Sequence, residues 1–238
     1  MTNNTLTVSL NEVSFFVTRA AVGAGAPFGV AEDFTKAVMW ASRCGIDPAV
    51  VALACLSRLD ASPGSGRMTM IEEGASKIFE GQDGLSAVFG GTALSDFWRL
   101  AADDGGSVMA RDLSHPLMAA AALAVVGPAP AVVEWPNVRV TFGKDGSIDM
   151  MARDADALLG KGPVDISVGV EPVNEELPTG YALTAGDLEA AAKKGVDEGL
   201  TVNVDAWAGV VSLFRRCLVP SSEQSRMSGA GAGLVDTD

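Results

Sequence analysis

The sequence predicts an α+β protein: a helical N-terminal part packed with a small, mainly antiparallel sheet and C-terminal helices. Three observations carry this. Capped stretches with helical apolar spacing fill the first sixty residues. A period-two run followed by a Lys-Asp-Gly turn stands at 138–146. Hydrophobic content of 48% with 20% charged residues describes a packed globule rather than a disordered chain.

The elements follow in order. Ser9 with Glu12 forms a capping box that opens a helix from Leu10 to about Ala21. Val13, Val17 and Ala20 recur at helical spacing, Phe16 widens that face, and the stretch Gly23–Pro27 ends it. A second helix runs from Val30 to Cys44, with Phe34, Ala37, Val38 and Ala41 as its apolar stripe and Gly45 as its stop. Asp47 caps a third helix, with Pro48 in its first turn, ending near Leu59. Residues 61–67, ASPGSGR, form a loop. Short helices are expected around 71–79 and 93–102, separated by a turn at Gly90–Gly91. Ser114, His115 and Pro116 open an apolar helix to Val126, whose all-round hydrophobicity predicts burial.

Gly127-Pro-Ala-Pro130 breaks that helix. The reading is a single domain over 1–238, with 127–130 as the place of any subdomain break: 1–126 mainly helical, 131–238 mixed. Val138–Phe142 and Ser147–Met151 pair as a hairpin, and 164–171 is a further strand. Thr184 caps a helix over 185–198, Val202–Val204 is extended, and Trp207–Leu218 is a last amphipathic helix before Pro220.

Composition narrows function by exclusion. A formal charge of −13 repels phosphate backbones and anionic headgroups, so neither nucleic acid nor membrane is an expected partner. The longest apolar run, Leu117–Val126, is half a membrane span, and the N-terminus has no signal-peptide pattern; a cytoplasmic location is expected. Cys44, Cys55 and Cys217 are widely spaced without a CxxC, and read as reduced, buried thiols. No metal is indicated: His115 is the lone histidine, and its place before a proline reads as a helix start. GxSxG, GK[ST] and dinucleotide fingerprints are absent from the sequence, so the cofactor stays unknown. The pair Glu32-Asp33 is expected in the first turn of the second helix, favoured there by the helix dipole.

The tail is the unusual segment. Ser221, Ser222, Glu223, Ser225 and Arg226 precede Gly229-Ala-Gly231-Ala-Gly233. Alternating glycines allow consecutive N–H groups to form an anion nest, and Arg226 suits a bidentate grip on carboxylate or phosphate. Composition alone favours a frayed terminus.

Two segments resemble a bacterial family of proteins of unknown function, DUF3726. One comprises Ser9-Leu-Asn-Glu-Val13, Gly23-Ala-Gly25, Pro27-Phe-Gly-Val-Ala-Glu-Asp33, Trp40 and Gly45. The other comprises Leu218-Val-Pro-Ser-Ser-Glu223, Ser225-Arg226, Gly229–Gly233 and Asp236. Val22 and Phe28 depart from that family's pattern, which places a basic residue and a tryptophan there. The resemblance implies an ordered, working tail, folded back toward the Gly23–Gly29 loop. The functional expectation is a small-molecule metabolic enzyme or binding protein acting on an anionic metabolite. Arg226, Ser221, Ser225, Gly229, Gly231 and Gly233 would bind the ligand, and Glu223 or Glu32 would serve as base. The alternative is a non-catalytic subunit or assembly partner of a metabolic enzyme complex; a homo-oligomer fits either reading.

Overall fold

The structure is a computed structural model that describes residues 4–127, 130–173, 176 and 178–218. Its helical layer opens as the capping signals predict. Strand β1 (Thr5–Val8) leads into α1 (Leu10–Gly23), where Ser9 and Glu12 form the expected capping box. α2 (Phe28–Ala41) continues as a 3-10 turn over Ser42–Cys44, and Gly45 ends it at φ 82°. α3 (Pro48–Ala61) is capped by Asp47, whose carboxylate accepts from the amides of Ala49 and Val50.

Residues 68–81 form a hairpin, not the expected helix. β2 (Met68–Glu73) pairs antiparallel with β3 (Ser76–Gly81) across a two-residue turn in which Gly74 takes φ 62°. Gly90–Gly91 is likewise no turn. α4 (Ala87–Asp103) runs straight through it. The reason is close packing. A Cβ at Gly90 would stand 2.6 Å from Leu113 Cδ1, and one at Gly91 3.3 Å from the Met118 carbonyl. The glycines let α4 lie against the next strand and helix, which outweighs their poor helix propensity.

β4 (Val108–Leu113) leads to α5 (Leu117–Val126), which is buried along most of its length as its composition requires. After the break come β5 (Ala131–Trp135), β6 (Val138–Phe142) and β7 (Ile148–Ala152), then a short α6 (Ala155–Leu158) and β8 (Val164–Gly169). β9 (Tyr181–Leu183), α7 (Ala185–Glu198), β10 (Leu200–Asn203) and α8 (Val204–Arg215) complete the described chain.

The sheet is larger than expected. Eight strands lie in the order β2-β3-β4-β8-β5-β6-β7-β9, and every pairing is antiparallel except β3 with β4. β1 and β10 form a separate two-stranded ribbon. One hydrophobic cluster runs from Val8 to Leu213, and includes Trp98, Phe79 and Leu56 at near-zero exposure. α4 packs on α5, α2 on both, and α8 on α1 and α3. This stacking brings the C-terminal end of α3 and the start of α5 to one region. Among the described residues no helix is long and apolar enough to cross a membrane.

Candidate functional site

β4 loses its regular register with β8 between Ala110 and Leu113. Arg111 and Asp112 stand opposite the single residue Asp165, which defines a bulge. Asp112 takes φ 50°, and His115, two residues beyond the strand, also takes φ 50°. Such a backbone is uncommon outside glycine and is held by its surroundings. Here the holding bonds run from three directions. Leu85 N–H donates to the Asp112 carbonyl at 3.0 Å and Ser114 N–H donates to the Leu85 carbonyl at 3.0 Å. His115 N–H donates to the Lys161 carbonyl at 2.9 Å. The Ser114 hydroxyl oxygen accepts from Ala87 N–H at 3.3 Å, so α4 and α5 both begin at this junction. The positive ends of two helix dipoles therefore meet there.

Arg58 reaches the same junction from the last turn of α3. Its Nη2 donates to the Asp83 carbonyl at 3.2 Å, and Asp83 is itself held by the Ser62 hydroxyl at 3.2 Å. Gly84, at φ 74°, leaves the room this needs: a Cβ there would stand 2.8 Å from Arg58 Nη2 and 3.3 Å from the Asp112 carbonyl. The arginine and the β4 bulge thus meet across a glycine.

The polar atoms at this place are not satisfied. Among the described residues, the buried side-chain nitrogens and oxygens without a hydrogen-bond partner are Arg58 Nε, Trp98 Nε1 and both ring nitrogens of His115. Two of those three side chains belong to this junction. Each orphaned group costs about 1–3 kcal/mol, a cost that folded proteins carry where a ligand or water completes the bonding. Burial, then the charges of Lys161 and Arg58, push the His115 pKa down to about 4. The ring is therefore neutral at pH 7, with one nitrogen a donor and the other an acceptor. Cationic neighbours, a neutral imidazole and two helix N-termini make an anion-attracting spot on a chain of charge −13.

Of the expected site residues, Glu32 alone lies among the described residues. Glu32 is exposed on α2; because that helix starts at Phe28, Glu32 and Asp33 lie one turn further in than expected. Its charge is the smallest of the causes that raise the Lys36 pKa, after the Lys36–Asp33 bond and the Asp33 charge, while burial opposes them. Glu223, Arg226, Ser221, Ser225, Gly229, Gly231 and Gly233 lie outside the described residues. The described chain approaches that tail beside α3 and α1. Arg216 Nη1 bonds the Asp60 carboxylate at 2.7 Å, and Cys217 Sγ donates to the Arg19 carbonyl at 2.7 Å. Asp60 shares the last turn of α3 with Arg58.

Arg58 and His115 were not singled out as site residues by the sequence. The available signal was a lone histidine just before a proline-started helix. It needed β4 to be recognised, which would have set His115 at a strand-to-helix turn, a common place for α/β sites. The bulge residues Arg111-Asp112 interrupt the apolar run and hide that strand. No group of three or more His, Cys, Asp or Glu placed to hold a metal occurs among the described residues.

Residues 8–75 match the model of the family described as "Protein of unknown function (DUF3726)", in agreement with the resemblance of the N-terminal motif. No curated protein matches the chain. Solved structures of like fold include malate dehydrogenase from Entamoeba histolytica, at 8% identity and TM-score 0.59, over 91% of this chain and 99% of that one. Malate dehydrogenase from Pyrococcus horikoshii aligns at 12% identity and TM-score 0.58, over 92% and 97%. Sulfolactate dehydrogenase from Methanocaldococcus jannaschii aligns at 12% identity and TM-score 0.53, over 89% and 97%. At these identities the likeness is one of fold alone.

Proposed function

We propose that the chain binds a small 2-hydroxy or 2-oxo acid at the Arg58–His115 junction and hydrogen-bonds its C2 oxygen through the His115 ring. The observation that carries this is the set of three unpartnered buried nitrogens on these two side chains, gathered at a strained turn. Their chemistry is complementary to such a ligand. Arg58 Nε–H suits a carboxylate oxygen as acceptor. The neutral ring of His115 offers its N–H to a carbonyl oxygen, or its bare nitrogen to a hydroxyl, without first losing a charge. Lys161 places a second positive charge within range of the ring, which favours ligands with a second anionic group. Malate and sulfolactate, the namesakes of the similar folds, are both 2-hydroxy acids of that kind.

A dehydrogenase also needs a hydride acceptor. The sequence carries no G-x-G-x-x-G turn, and no step is derived through such a cofactor. The tail extends the proposal: Ser221, Glu223, Ser225, Arg226 and Gly229–Gly233 follow an anchor at Asp60, close in sequence to Arg58, and would add a second arm to the same ligand. A second reading, a subunit of a larger enzyme complex, is favoured by β2. All six of its residues are exposed, with Met68, Met70 and Ile71 among them. Assembly with a partner strand would cover that edge.

Titration calorimetry with malate, lactate, sulfolactate and their 2-oxo counterparts tests the main reading. Binding is expected to be stronger for the dianions, and Arg58→Ala is expected to weaken it at least about tenfold, the equivalent of 1.4 kcal/mol. Failure of every acid to bind, or equal binding by Arg58→Ala, overturns it.

A further inference from the structure

The β4 bulge leaves the Asp112 amide without a ladder partner, because two residues of β4 face one of β8. The Asp165 side chain supplies what the backbone does not: its Oδ1 accepts from Asp112 N–H at 3.0 Å. That bond is the start of a chain of constraints. Asp112, so held, offers its carbonyl to Leu85 N–H, and the Leu85 carbonyl in turn takes Ser114 N–H. His115 follows directly, pinned by its own amide to the Lys161 carbonyl. The connection before β8 presses on the same place, since a Cβ at Gly162 would stand 2.6 Å from the Leu113 carbonyl oxygen.

We infer that Asp165 is a positioning residue, whose carboxylate holds the β4 bulge and thereby presents the His115 ring beside Arg58. This rests on the Arg58–His115 site proposed above. Asp165 touches the backbone of Asp112 and not the ring, so it acts through geometry. The charged groups acting on the ring are Arg58 from α3 and Lys161 from the connection before β8. The carboxylate is exposed, so its loss is expected to leave the fold intact.

His115 is the chain's single histidine, which makes its ring proton resonance an unambiguous reporter. The experiment follows that resonance by NMR across pH in the full chain and in Asp165→Ala, Asp165→Val and Asp165→Asn. Alanine and valine both remove the acceptor, and valine suits a strand should alanine fold poorly. Asparagine removes the charge and keeps an acceptor oxygen. Loss of a negative charge alone would lower the histidine pKa, whereas release of the ring toward water raises it. Alanine and valine are therefore expected to shift the titration upward by about one unit or more toward the ordinary 6.5, with asparagine at or slightly below the parent. Identical titrations in all four proteins overturn the inference, and so does an upward shift in asparagine as large as in alanine. The ligand reading fails separately: it fails if malate, lactate and sulfolactate all leave the resonance of the parent protein unmoved.

Discussion

His115→Asn isolates the energetic consequence of burying a neutral histidine at the β4–α5 turn. Asparagine tolerates the positive φ of the position, so the backbone is kept while the titrating ring is removed. The folded pKa is about 4, against 6.5 when unfolded. The unfolded chain therefore binds the proton more readily than the folded one. The stability this contributes is complete above pH 6.5 and is lost as the pH falls through 6.5 to about 4. At about 1.4 kcal/mol per unit, the full difference is about 3 kcal/mol; the ring is partly exposed, and screening reduces it to about 2 kcal/mol. By pH 5 more than half is gone, or about 1 kcal/mol. Urea unfolding at pH 7 and pH 5 measures this in the parent and the variant. Carboxylates held low by hydrogen bonds, such as Asp145, and Asp96, raised by burial, titrate in both proteins and cancel in the comparison. The parent is expected to lose about 1 kcal/mol more than His115→Asn over this interval. Equal losses would refute the assignment of a half-buried, neutral ring.

Gly84→Ala places a Cβ against Arg58 Nη2 and demands a φ of 74° from alanine, so the unfolding free energy measured in urea is expected to fall by about 1–2 kcal/mol and ligand affinity with it. Glu134 and Arg139 form a nearly buried ion pair at 2.8 Å, and the Glu134 carboxylate also accepts from Val173 N–H at 2.6 Å. Glu134→Ala leaves the guanidinium without that carboxylate and is expected to cost about 3–5 kcal/mol by chemical denaturation. Burial pushes the Cys44 and Cys55 thiols up to about 12, whereas Cys217 is half-buried. A thiol reagent at pH 8 is expected to label Cys217 alone in the native protein, and all three cysteines in denaturant.

Much of the helical layer was legible because its signals are local. The Ser9–Glu12 box, the Asp47-Pro48 start and the Thr184 cap each satisfy backbone groups within four residues, so the sequence displays both partners together. The β6–β7 hairpin was legible for the same reason, its turn and alternation being adjacent. The misreadings occurred where tertiary contact decides. Gly90–Gly91 carries the composition of a turn, but the approach of Leu113 and Met118 makes it the contact face of a helix. β1 was missed because its partner β10 lies at the other end of the chain, and four residues have little preference of their own.

The site divides along the same line. The sequence by itself determined an acidic, helix-rich α+β chain with a solitary histidine at a helix start, because composition, caps and alternation act through the nearest residues. Only the tertiary structure decided that this histidine is half-buried, neutral and strained, and that an arginine 57 positions earlier meets the β4 bulge across Gly84 and acts on the ring through its charge. The physical reason is that burial and charge proximity belong to the packing of α3, β4, α5 and β8 against one another. No spacing along the chain encodes distances set between elements so far apart in it.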